Sequence, residues 1–176
     1  MLVESCFERS ASGERELPTQ ADTEAFGREL AESLRPGDLV VLDGPLGAGK
    51  TALTRGIAAG LGVVGRVSSP TFVIAREHRA GPSGIGLVHV DAYRLGGGGA
   101  PDEGSTPDHR SAPDHRGVLD ELDALDLDTD LHHAVVVVEW GAGLVERLAD
   151  RHLLVRLRRV EDSETRTLRW EWVGAH

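Results

Sequence analysis

Gly44-Pro45-Leu46-Gly47-Ala48-Gly49-Lys50-Thr51 decides the reading of this chain. Gly-x4-Gly-Lys-Thr is a phosphate-binding loop, and each part has its own job. The glycines let successive backbone N–H groups turn inward around an anion. The lysine reaches the outer phosphates, and the threonine hydroxyl suits a magnesium ion. The flanks fit: Asp38-Leu39-Val40-Val41-Leu42 is an apolar, β-branched run expected to form a buried strand. Thr51 to Ala59 has the periodicity of a helix, with Gly60 expected to end it. A helix starting there directs its positive end at the bound anion. Lys50 is also the only lysine of the chain, against eighteen arginines. The exception falls where a compact ammonium on a flexible stem is needed and a planar guanidinium is not.

Composition narrows the class. A mass of 18.8 kDa is one domain, enough for a central sheet with helices against it. The net charge of −10 argues against independent nucleic-acid binding, which needs a basic face. Any RNA tied to the function is expected to be presented by a partner. The single cysteine, Cys6, excludes an internal disulfide and suits a reducing cytosol. Met1 to Ser10 has two glutamates and no apolar core, so it does not read as a signal peptide, and no apolar run has the length of a membrane span. The expectation is a soluble, cytoplasmic protein that does not engage a membrane.

Residues 1–15 read as a flexible leader and 16–173 as the folded domain. Thr19-Gln20-Ala21-Asp22 resembles a capping box, followed by Phe26, Leu30 and Leu34 at helical spacing up to Pro36-Gly37. Ser68-Ser69-Pro70-Thr71-Phe72 is held extended by its proline, leaving Ser68, Ser69 and Thr71 able to point at phosphate or metal. Leu87-Val88-His89-Val90-Asp91 and Ala134 to Val138, before Glu139-Trp140, are two more buried strands. Leu153 to Leu157 and Thr165 to Trp172 alternate and are expected nearer the sheet edge. Between them, Gly96 to Gly117 carries six glycines, three prolines and a repeated Pro-Asp-His-Arg, and is expected to be a disordered insert. Leu119 to Asp130 spaces leucines among six acids, as an amphipathic helix or an acidic face for a partner.

Handling a γ-phosphate needs a metal holder and a group that places the attacking oxygen. In sheets of this kind, such groups sit at the carboxyl ends of strands beside the loop. Asp91 and Glu139 both end apolar strands and form the expected catalytic pair with Lys50. Glu139 is assigned to Mg²⁺, directly or through water, and Asp91 to the attacking water or a metal contact through water. Trp140 reads either as a ligand-stacking ring or as core. His89, on a buried strand, reads as a hydrogen-bonded core histidine rather than a catalyst.

These blocks together resemble the TsaE (YjeE) family from Leu17 to about Leu168, interrupted by the insert. The P-loop, Arg55-Gly56 with Gly60-Leu61-Gly62, Ser69-Pro70-Thr71-Phe72, His89-Val90-Asp91-Ala92-Tyr93-Arg94-Leu95 and Glu139-Trp140 carry the similarity, in that order. The resemblance implies an ATPase that is weak alone and acts with TsaD and TsaB homologues. Those partners attach threonylcarbamoyl to the adenosine beside the anticodon of tRNAs reading codons that start with A. It implies Mg²⁺ on Thr51 and Glu139, and ATP held by Gly47, Ala48, Gly49, Lys50, Thr51, Ala52, Thr71 and Trp140. On looser alignment it adds Gln20, near the adenine, and Arg166. Two positions depart from the pattern. Ala52 stands where a second hydroxyl is common, and His78 where a tyrosine is frequent.

The expected fold is α/β, a three-layer P-loop NTPase with a mostly parallel central sheet and antiparallel late strands. A small P-loop kinase would need an arginine-bearing lid, and the insert has only two arginines. A GTPase would need Asn-Lys-x-Asp, impossible in a chain with no asparagine and one lysine. A nucleotide-dependent module that switches shape without turnover is the third class.

Overall fold

Seven β-strands form a single mixed sheet in a computed structural model that describes residues 12–68, 75–92, 132–140 and 151–174. In chain order the elements are β1 (Gly13–Leu17), α1 (Gln20–Ala31), β2 (Leu39–Asp43), α2 (Lys50–Leu61), β3 (Ala75–His78), β4 (Gly86–Asp91), β5 (Ala134–Glu139), β6 (Arg151–Arg159) and β7 (Arg166–Gly174). The spatial order is β1-β7-β6-β2-β5-β4-β3. Strands β6, β2, β5 and β4 are mutually parallel and make the centre. Antiparallel β7 and β1 extend one side, and antiparallel β3 closes the other.

The central strands read as continuous apolar runs because both faces are buried. Alternate residues divide cleanly. Val40, Leu42, Val135, Val137 and Leu153 join Phe26, Leu30, Leu53 and Ile57 of the helices in one core. Leu39, Val41, Val136, Val138 and Leu154 form a second core on the opposite face. Both described helices therefore cover the first face. The three-layer expectation needs helices on the other face as well, and among the described residues none lies there.

Helix α1 starts as its sequence requires. Thr19 is the N-cap, its hydroxyl accepting from the Asp22 amide while the Asp22 carboxylate accepts from the Thr19 amide at 2.9 Å. Helix α2 runs two residues further than the glycine rule predicts. Gly60 lies inside it, and Gly62, at φ 67°, ends it in the left-handed conformation. Gly60 serves contact rather than termination: a Cβ there would come 2.8 Å from the Arg28 carbonyl oxygen of α1.

Three other expectations change. Residues 13–15, assigned to the leader, belong to β1 and pair with Leu168, Arg169 and Trp170 of β7. This pairing gives the β7 edge a partner, a need that local sequence does not record. Strand β6 is neither an edge strand nor antiparallel to the centre; it runs parallel beside β2, and only β7 reverses. The short β3 follows a segment read simply as extended, and it forms by pairing with β4. The insert at 96–117, the acidic stretch 119–130, Cys6 and Tyr93-Arg94 lie outside the described residues.

Candidate phosphate-binding and hydrolytic site

The loop joining β2 to α2 lies at the carboxyl edge of the parallel strands. Gly49 is the N-cap of α2 at φ 107° and offers no side chain to the helix end, so the first-turn amides face outward unblocked by a cap. A Cβ at Gly49 would sit 2.9 Å from Arg166 Nε, so the loop and β7 touch only because this residue is glycine. Gly47 and Ala48 complete the turn; the Ala48 amide donates to the Pro45 carbonyl at 3.1 Å.

Lys50, the first residue of α2, is buried and curls back over its own loop. Its Nζ donates to the Gly44 carbonyl at 2.6 Å and the Pro45 carbonyl at 3.0 Å, and lies 3.7 Å from the centre of the Trp140 ring. Burial lowers the Lys50 pKa below the ordinary 10.5, while the negative charges of Glu139, Asp43 and Asp91 pull it back up. Trp140 reaches this position from a left-handed backbone, φ 64°, which costs a non-glycine residue about 1–3 kcal/mol. Its amide is fixed by the Leu42 carbonyl at 3.0 Å. The strained residue thus carries the ring that lies over the loop lysine.

The two acids come together as expected. Parallel pairing of β4 and β5 sets Asp91 beside Glu139 in register, at the strand ends. The buried Glu139 carboxylate accepts from the Thr51 hydroxyl at 3.1 Å, across 88 residues of chain. The same oxygen lies 2.8 Å from His89 Nε2, on a ring with no exposed surface. Thr51 and Glu139 thus offer hard oxygen donors side by side, the type magnesium prefers. Ala52 follows in the first turn of α2, buried and without a polar group.

Arg166 lies buried against Gly49, its Nη1 donating to the Glu164 carbonyl at 2.6 Å. Its Nε has no hydrogen-bond partner among the described residues. Gln20 is exposed at the start of α1, one turn before Thr23, and its amide donates to Glu24 at 3.2 Å. Arg166 therefore lies against the loop at Gly49, while Gln20 contacts Glu24 on its own helix. Thr71 lies outside the described residues. A cavity of about 440 Å³ lined by Glu24, Arg55, Val63 and Arg66 shares no residue with this cluster.

His89 is the residue that sequence reasoning set aside. A buried strand makes a histidine look like core, and period-two alternation was the available signal: His89 shares a sheet face with Asp91 and, across the pairing, with Glu139.

Known proteins resemble this chain over most of its length. The family model for the threonylcarbamoyl adenosine biosynthesis protein TsaE matches residues 17–168. The chain is 52% identical over 164 residues to the tRNA threonylcarbamoyladenosine biosynthesis protein TsaE of Mycobacterium tuberculosis, covering 93% of this chain and 89% of that protein. It is 53% identical over 134 residues to TsaE of Streptomyces coelicolor, covering 76% and 77%. The crystal structure of Bacillus YdiB superimposes with a TM-score of 0.65 at 27% identity, over 93% of this chain and 87% of that one. With its P-loop, its paired acids and its Glu-Trp turn accounted for, the chain belongs to the TsaE family of tRNA threonylcarbamoyladenosine biosynthesis.

Proposed function

We propose that this chain is a Mg²⁺-dependent ATPase that supports TsaD and TsaB homologues in the threonylcarbamoylation of tRNA. The observation that carries the reading is the meeting of the Thr51 hydroxyl and the Glu139 carboxylate at 3.1 Å, next to the P-loop lysine. Helix and strand, far apart in sequence, converge there on one small polar volume.

In this reading the amides of Gly47, Ala48, Gly49 and the first turn of α2 hold the phosphates, and the Lys50 ammonium neutralises the outer ones. Thr51 and Glu139 are the residues that would hold Mg²⁺, which when bound offsets charge on the phosphate oxygens. Asp91, one strand over from Glu139, orients the attacking water in line with the leaving oxygen. Arg166 and Gln20 contact the nucleotide from the flank, and Trp140 closes over Lys50. Catalysis is then positioning and charge neutralisation, with little covalent work for the protein. The net charge of −10 fits a component that meets tRNA through its partners, in the cytoplasm, rather than by itself.

Two substitutions test this. Lys50→Ala is expected to abolish tight ATP binding; near-normal affinity by calorimetry sinks the P-loop assignment. Glu139→Ala is expected to reduce ATP hydrolysis measured with purified TsaD and TsaB by about 10²–10³-fold, the usual cost of removing one preorganised electrostatic group. Unaltered turnover would mean that Glu139 does not serve the metal.

A further inference from the structure

A histidine with no exposed surface is an expensive filler for a core of valines and leucines. Its neighbours on the same sheet face, Leu87 and Val137, are fully buried apolar residues, and an aliphatic side chain at position 89 would avoid desolvating a polar ring. What the ring gains, among the described residues, is one hydrogen bond, Nε2 to Glu139 Oε1 at 2.8 Å. The Glu139 carboxylate can only accept, so the ring must donate from Nε2–H. That fixes the ring's donor, and Nδ1 has no hydrogen-bond partner among the described residues. Oε1 thereby receives two donors from different elements, Thr51 from α2 and His89 from β4. A carboxylate held by one flexible threonine could swing about its terminal torsion; a second donor on a rigid, paired strand stops it.

We propose that His89 is a positioning residue that pins the Glu139 carboxylate in the orientation needed to hold Mg²⁺ on Thr51 and Glu139. The inference rests on the metal assignment made under Proposed function. Outer donors of this kind are worth about 10–100-fold in metal affinity or activity. His89 acts through Glu139, and its removal should leave the phosphate cradle of Lys50 and the loop amides intact.

The test measures binding, not only turnover. The affinity of a non-hydrolysable ATP analogue is measured by calorimetry in EDTA, then as Mg²⁺ is titrated in, for the native chain and four variants. His89→Leu and His89→Asn remove the donor at the Nε2 position; His89→Gln keeps an amide N–H near it. Glu139→Gln removes the carboxylate itself. The expected result is metal-free affinity within about twofold of native for all His89 variants. The Mg²⁺ concentration for half-saturation should rise about 10-fold or more in His89→Leu and His89→Asn, with most of the loss recovered in His89→Gln. If His89→Leu does not fold, the Asn and Gln pair carries the same comparison. Unchanged magnesium dependence in His89→Leu or His89→Asn, with a shift in Glu139→Gln, overturns the role of His89 alone. No shift in Glu139→Gln removes the metal assignment, and this inference with it. Equal losses in Gln and Asn that extend to metal-free affinity would make His89 a structural residue only.

Discussion

Gly56 offers a prediction whose sign, not only its size, separates two accounts of α2. By propensity alone, Gly56→Ala inside a twelve-residue helix should stabilise the protein by about 1 kcal/mol. The packing says otherwise. A Cβ built at Gly56 would lie 2.9 Å from both Cα and the carbonyl carbon of Glu24 on α1, and closer still to its carbonyl oxygen. Gly27 faces it, with the Gly56 Cα at 2.8 Å from the position of its own missing Cβ. These are backbone atoms, which cannot rotate away, and carbon contacts normally settle near ~3.5–4.0 Å. The helices must therefore separate by roughly 0.5–1 Å, loosening Phe26, Leu30, Leu53 and Ile57 between them. Overpacking of this kind costs about 1–3 kcal/mol, or more when backbone must move. Because the obstructing atoms are backbone, the upper part of that range applies, about 2–3 kcal/mol. Less the propensity gain of about 1 kcal/mol, the net expectation is a loss of about 1–2 kcal/mol, a fall in Tm of roughly 2–8 °C for a chain of this length. Thermal unfolding followed by circular dichroism reads it directly. Because α2 begins with Lys50 and Thr51, ATP affinity should weaken in the same variant. A Tm equal to or above native would refute the account of α1 and α2 as helices held at backbone contact.

Thr19→Ala removes the hydroxyl that accepts from the Asp22 amide and should destabilise the fold by about 1 kcal/mol, readable in urea unfolding. Its effect on ATP hydrolysis should be small, since Thr19 touches none of the paired acids. His78 supplies a pH prediction. Burial, then the nearby His89 and Arg76, lower its pKa below 6.5. Above pH 6.5 the ring is neutral in folded and unfolded chains and has no effect on stability. As the pH falls through 6.5 the unfolded ring takes a proton that the folded ring refuses, so stability declines until the pH passes below the folded value. His78→Gln should flatten that decline in urea midpoints measured from pH 7.5 to 5; an unchanged slope would show that His78 titrates normally.

The legible parts were those set by local chemistry. The P-loop, the Thr19 capping box and the strands carrying Asp91 and Glu139 each depend on neighbouring residues, and each stands where its pattern placed it. The misread parts depend on distant partners. Nothing in Gly13–Leu17 announces a strand; it becomes one because β7 has an open edge beside it. Gly60 satisfied the rule for a helix end, but the rule cannot see α1 lying against it, and the chain needed Gly60 for contact and Gly62 for the stop. The position of β6 in the sheet follows from its crossover beside β2, which alternation within the strand does not encode. His89 stands as read, a buried, hydrogen-bonded histidine, but its partner, a carboxylate fifty residues away, is not written in its own strand.

The single lysine shows why the site cannot be read as a static cradle. Among the described residues Lys50 Nζ has two carbonyl acceptors and the Trp140 face around it, so its charge is already accommodated by its own loop. Hydrogen bonds from a charged donor are worth about 1.5–3 kcal/mol each, and a partly desolvated cation–π contact about 0.5–2 kcal/mol. Under the proposed function, nucleotide binding is therefore an exchange, and only the surplus of phosphate contacts over these internal ones appears as affinity. An ammonium suits such an exchange because its three donors turn freely on a flexible stem, whereas a guanidinium is locked in a planar fork. The same reasoning places Trp140 at the point of exchange. Under the proposed function its ring would stay over the ammonium or give way as phosphate enters, and its strained φ of 64° would lie on a residue that senses the nucleotide directly.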